Sequence, residues 1–175
     1  MAPVRIIYLA LLLFILWIIL SCFNPFAPKI DRTNDNSFVL TEQQTPQDVL
    51  TNFVYAYTFK DSIVYADLLD SSFVFVFFDP NFESSGRFVS WGRDVDLKTT
   101  GQLFRNFETI TLTWNTTIYF DTSKTNEAEL SKTFQLNLFG KAGEYSISGN
   151  AIFNMIKNDF DSKWRIKRWK DESQL

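Results

Sequence analysis

From Thr109 onward the sequence alternates with period two, and this limits the available folds more than any other feature. Ile110, Leu112 and Trp114 alternate with Thr109, Thr111 and Thr113, and Phe134, Leu136 and Leu138 alternate with Thr133, Gln135 and Asn137. Successive side chains on a strand point to opposite faces, so each segment reads as an antiparallel strand with one wet and one dry face. The turn Gly140-Lys141-Ala142-Gly143 leads into a long strand on which Tyr145, Ile147, Gly149, Ala151, Phe153 and Met155 share a face. Gly149 and Ala151 in mid-strand mark a place where the sheet bends or another segment comes close. After Asn158-Asp159 a last strand carries Trp164 and Ile166 in phase, but Trp169 falls three residues beyond Ile166. Both can face inward only if a β-bulge lies near Lys167-Arg168.

The segment ahead of this sheet reads as helix. Thr45-Pro46-Gln47-Asp48 offers a hydroxyl N-cap, a proline at the first helical position and an acid at the third, followed by Val49, Leu50, Phe53, Val54 and Tyr57 at helical spacing. A second, shorter pattern with Ile63, Tyr65, Leu68 and Leu69 ends at Asp70-Ser71-Ser72. Phe73 to Phe78 is then a strand stopped by Asp79-Pro80. A loop with Asn81, Ser84, Ser85 and Gly86 follows, and Trp91-Gly92-Arg93-Asp94-Val95 leads into a third helix reaching about Phe104 or Phe107. The expected fold class is α+β, with three N-terminal helices packed on a strongly curved antiparallel sheet over residues 45–171. The sequence holds 19 Phe, 5 Trp and 6 Tyr, enough to build an aromatic core.

The first 44 residues carry an address. Met1-Ala2-Pro3-Val4-Arg5 precedes an uncharged apolar run, residues 6–20, followed by Ser21-Cys22. A bilayer-spanning helix needs roughly 20 residues. A shorter run with one positive charge ahead and a small residue behind has the parts of a secretory signal peptide. Ile19-Leu20-Ser21-Cys22 resembles the lipobox of bacterial lipoproteins. That resemblance implies that residues 1–21 are removed, that Cys22 receives a diacylglycerol, and that its new amino group is acylated, with chains such as palmitate. Two or three chains hold a protein at a membrane stably where one does not. The alternative is an uncleaved signal anchor stretched through Phe23 and Phe26. Either reading expects an extracytoplasmic domain at the bacterial cell envelope. Phe23 is not the Asp associated with inner-membrane retention, which favours the outer membrane. Residues 22–44, with Pro25, Pro28 and a polar string from Asp31 to Ser37, read as a tether whose apolar insert Phe38-Val39-Leu40 can pack on the domain.

The element order and the closing Trp164-Arg165-Ile166-Lys167-Arg168-Trp169-Lys170-Asp171 resemble the nuclear-transport-factor-2-like superfamily of cone-shaped domains, which includes the ketosteroid isomerases. Trp91-Gly92-Arg93 and Asn24-Pro25-Phe26-Ala27-Pro28 are similar to an uncharacterised group of bacterial lipoproteins. The resemblance implies a cone whose wide end can hold a pocket. It implies little about activity, because this fold hosts isomerases, dehydratases, cyclases, binding proteins and assembly accessories.

The chemistry is bounded mainly by what is missing. The sequence has no His and a single Cys, which removes the Ser-His and Cys-His nucleophile pairs, an intramolecular disulfide and thiolate metal clusters. No cofactor, metal site or catalytic residue is assigned. A net charge of -3 argues against a nucleic-acid partner. A carboxylate or tyrosine mechanism would draw on Asp61, Asp67, Asp79 or Asp96 with Tyr55, Tyr57 or Tyr65, and no spacing singles out a pair. Tyr57, Tyr65, Phe75, Phe77, Trp91, Trp114 and Phe153 either line an apolar pocket or fill the core. Lys163, Arg165, Lys167, Arg168 and Lys170 lie among Asp159, Asp161, Asp171 and Glu172 and read as a solvated strand face. The expected function is a noncatalytic ligand-binding or assembly module, held to the membrane through the lipid on Cys22 and taking a small apolar ligand. The alternatives are a cofactor-free carboxylate isomerase or lyase acting on a small apolar substrate, and a structural partner that pairs through its sheet with a second copy or another envelope protein.

Overall fold

The structure, a computed structural model, describes residues 39–82, 85–141 and 143–174. The signal-peptide reading, Cys22 and most of the tether lie outside those residues. Helix α1 spans Pro46–Phe59 and opens with the expected reciprocal cap: Thr45 Oγ1 accepts from the Asp48 N–H, and Asp48 Oδ2 accepts from the Thr45 N–H. It ends at Lys60, which adopts the left-handed conformation at φ 56°. Asp61 caps the seven-residue helix α2, Ser62–Leu68, by accepting from the N–H groups of Ile63 and Val64. Helix α3, Arg93–Asn106, buries Asp96, Thr100 and Phe104 along one face at four-residue spacing.

The six strands are β1 (Leu69–Asp79), β2 (Arg87–Gly92), β3 (Thr109–Asp121), β4 (Glu127–Gly140), β5 (Gly143–Lys157) and β6 (Trp164–Gln174). They form one sheet in the order β2-β1-β6-β5-β4-β3. Two expectations are corrected here. The sheet is mixed, because β1 and β6 run parallel with Phe75 opposite Trp169. Period-two patterning fixes which face a residue takes, but it does not choose a strand's neighbour or direction, and these two strands are far apart in sequence. The three helices are also not all N-terminal to the sheet: α3 follows β1 and β2. Between the expected loop and the third helix the structure adds strand β2, and β1 begins at Leu69, directly after α2, rather than at Phe73.

The bulge is where the tryptophan spacing requires it. Asn154 and Met155 are adjacent on β5, yet they pair with Arg168 and Ile166, leaving Lys167 as the extra residue on β6. Trp164 and Ile166 are buried and Trp169 is mostly covered, all on the helix-facing side. Gly149 is explained by close approach: a Cβ there would lie 2.4 Å from Ser173 Cα on β6.

The core is centred on Phe53 of α1. Its ring centroid lies 5.6 Å from Trp114 on β3, 6.2 Å from Phe153 on β5 and 5.4 Å from Trp169 on β6. On a flat sheet β3 and β6 would stand about 14 Å apart, so the sheet bends around the helix. Below residue 45 the chain is already fastened to the fold. Asn52 exchanges hydrogen bonds with the Thr41 backbone at 2.8 and 3.0 Å, and the Gln43 C=O accepts from the Trp164 N–H at 2.8 Å. Val39 and Leu40, expected to be able to pack on the domain, are exposed.

Candidate functional site

A cavity of about 130 Å³ lies between α1 and the inner face of the sheet. Phe53 and Tyr57 form its helical wall, Trp114 and Leu112 its β3 side, and Trp169, Asp171 and Ser173 its β6 side. The bulge at Lys167 brings Trp169 onto this face, and period two then carries Asp171 and Ser173 with it. Asp171 accepts from the N–H of Ser173 at 2.9 Å and from its hydroxyl at 3.1 Å. Burial raises the Asp171 carboxyl above the ordinary aspartate range, outweighing those two hydrogen bonds. The indole N–H of Trp169 is buried and has no hydrogen-bond partner among the described residues, whereas that of Trp114 donates to the Leu50 C=O at 3.1 Å.

Behind Tyr57 runs a buried polar chain. The Tyr57 hydroxyl lies beside Thr100 and Tyr65, Tyr65 Oη donates to Asp96 Oδ2 at 2.6 Å, and Trp91 Nε1 donates to Asp96 Oδ1 at 3.0 Å. Burial raises the Asp96 carboxyl despite these two donors, since no cation faces it. Burial, and then the charge of Asp96, also holds the Tyr57 phenol well above its usual value, so it remains a proton donor at neutral pH.

The expected site residues therefore divide. Tyr57 and Trp114 stand on the cavity wall. Tyr65 and Phe153 are fully buried in the core. Phe75, Phe77 and Trp91 stack on one another, with Phe75 also edge-on to Trp169 at 4.7 Å. Among the acids, Asp61 caps α2, Asp79 accepts from the Asn81 N–H, and Asp67 is paired with Lys163 and Arg165. Asp96 alone of the four is buried, beside Tyr65. Sequence reasoning missed Trp169 and Asp171 as cavity residues. The usable signal was the bulge itself, because a residue two beyond Trp169 shares its face. Among the described residues no group of three or more His, Cys, Asp or Glu could hold a metal ion.

The arrangement of helices and sheet is similar to that of solved structures. A conserved protein from Planctomyces limnophilus superposes with a TM-score of 0.62 at 16% identity, covering 73% of this chain and 92% of that one. An NTF2-like superfamily protein from Salmonella enterica serovar Typhimurium gives 0.58 at 12% identity, covering 73% and 87%. The fold is that of the nuclear-transport-factor-2-like proteins. A candidate scytalone dehydratase from Novosphingobium aromaticivorans has the same NTF2-like fold, with a TM-score of 0.60 at 17% identity and coverage of 74% and 81%. No protein-family model matches the sequence. No curated protein matches it either.

Proposed function

We propose that this chain is an extracytoplasmic domain, tethered to the membrane through Cys22, that binds a small and mostly apolar molecule in its NTF2-like cavity. The supporting observation is a mostly apolar space with aromatic walls, one indole N–H on Trp169 without a partner among the described residues and one partly sheltered carboxyl on Asp171. An apolar cavity on the order of 150 Å³ accommodates a benzene ring, so the space suits a single ring bearing one hydrogen-bonding group. Tethering is supported by Ile19-Leu20-Ser21-Cys22 after the short apolar run. Cys22→Ala should then abolish acylation detectable by mass spectrometry, and a wild-type Cys22 that remains an unmodified thiol contradicts that half of the reading.

Titration with phenol, followed by tryptophan fluorescence, tests the other half. Trp169→Phe removes the N–H and should weaken binding about tenfold, the equivalent of one hydrogen bond. Failure of phenol, indole and toluene alike to bind would refute the cavity reading. A second reading has its own observation: Asp171 shares the cavity with the Tyr57 phenol, an arrangement able to take a proton from an apolar carbon acid and donate to the resulting oxyanion. Turnover eliminated by Asp171→Asn with binding retained would establish it.

A further inference from the structure

The bulge at Lys167 also reshapes the opposite face of the sheet. On a regular strand neighbouring side chains point to opposite faces, but here Ile166 and Trp169 both face the helices, and Lys167 and Arg168 are left exposed together. The two cations stand at a second concavity of about 560 Å³, separate from the cavity beside Trp114. Its floor includes Val74 of β1 and Ile156 of β5. Its acids are already engaged. Glu127 accepts from Lys124 Nζ at 2.5 Å, Glu129 from Asn154 Nδ2 at 2.8 Å, and Asp121 from the Ser123 N–H at 2.7 Å. The Arg168 guanidinium has no hydrogen-bond or ion-pair partner among the described residues. Lys167 acts on Asp70 and Glu127 only through its charge.

An apolar strip leads away from these cations. Val76 and Phe78 share the face of Val74 along β1, and Phe88 of β2 packs edge-on to Phe78 with ring centroids 5.5 Å apart. Val76 is buried, and Lys170, paired with Glu172, holds its Nζ 4.6 Å from the Phe88 ring centroid, so this strip is broken beyond Val74. Phe78 and Phe88 are both exposed.

We propose that this outer basin binds an amphiphilic anion, with a carboxylate or phosphate head on Lys167 and Arg168 and an apolar chain over Val74 and Ile156 on its floor. Its volume lies in the range of ligand sites, roughly 300–1,000 Å³, which the inner cavity does not reach. Free anion-seeking donors and an exposed apolar floor within one basin call for both properties in one molecule, because a simple anion leaves Val74 and Ile156 wet and a neutral lipid leaves Arg168 unpaired.

The test is photo-crosslinking of the full chain with a diazirine-bearing dodecanoate, with labelled peptides mapped by mass spectrometry. Label should fall on residues 72–78 and 152–156 and drop at least fivefold in Lys167→Gln/Arg168→Gln, whose circular dichroism should match wild type. Arg168→Glu should reduce it further. The corresponding uncharged dodecanol probe should label weakly and ignore both variants. A photoreactive phosphatidylglycerol in vesicles distinguishes the source: charge-dependent label at the same residues identifies a bilayer lipid, and label from dodecanoate alone identifies a free amphiphile. Absence of label from both probes, label on the walls of the inner cavity, or equal labelling by dodecanol would each overturn the proposal.

Discussion

Two clusters of carboxylates in this domain have opposite environments. Asp96, enclosed between α3 and the inner face, has two neutral donors and no cationic partner among the described residues. Asp67 and Asp161, where α2 meets the start of β6, share Arg165, whose guanidinium contacts Asp67 at 2.9 Å and Asp161 at 2.6 Å, while Lys163 adds a further contact to Asp67. Burial raises Asp96. Burial also pushes Asp67 upward, but hydrogen bonds from Lys163 and Arg165 prevail and leave it lowered. The hydrogen bond from Arg165 brings Asp161 down to about 2. Identical side chains thus serve one domain as a buried acceptor of neutral donors and as members of an ion-pair network. The decisive difference is the presence of a cation, not depth alone.

The contrast predicts unequal losses. Asp96→Ala should have the largest effect, about 3–4 kcal/mol in urea denaturation, because it strands the hydroxyl of Tyr65 and the indole N–H of Trp91 with little water to replace the carboxylate. A loss below 1 kcal/mol would show that the chain from Tyr57 to Asp96 is not a stabilising unit. Arg165→Met should cost less, about 1 kcal/mol, since the acids it serves are substantially exposed and water takes over part of its role. Asp161→Asn should cost only a few tenths of a kcal/mol.

The pH dependences should have opposite signs. Asp96 binds its proton more tightly in the folded state, so its contribution is most favourable below the unfolded value of about 4 and declines as pH rises through the folded value. Asp161 holds its proton more loosely when folded, so its contribution is complete above about 4 and disappears as pH falls toward 2. Denaturation of Asp96→Asn and Arg165→Met between pH 2 and 8 should therefore flatten the alkaline-side decline in the first and the acid-side decline in the second. Equal slopes in both variants would erase the distinction between the clusters.

The same contrast shows what the sequence could reveal. Local rules sufficed for the cap at Thr45, the period-two strands and the bulge forced by Ile166 and Trp169, since each depends on residues within a few positions of one another. They also made the small residue at Gly149 legible as a point of close approach. They could not supply the parallel pairing of β1 with β6, or the meeting of Asp96 with Tyr65 across 31 residues, which arise only when distant segments pack. Asp171 was obscured differently. It sits in a charged C-terminal stretch that resembles a solvated edge, and only the bulge reveals that its side of the strand turns toward the cavity.

The attachment of Thr41 and Gln43 carries a mechanical consequence. Any tension on the chain upstream of Thr41 meets the pair of bonds to Asn52, inside α1, before it reaches the first turn of that helix. What passes that point is met at Gln43, whose side chain and backbone both grip Trp164. The segment ahead of the first helix is thereby fastened both to that helix and to the opening residue of the last strand, 121 positions away.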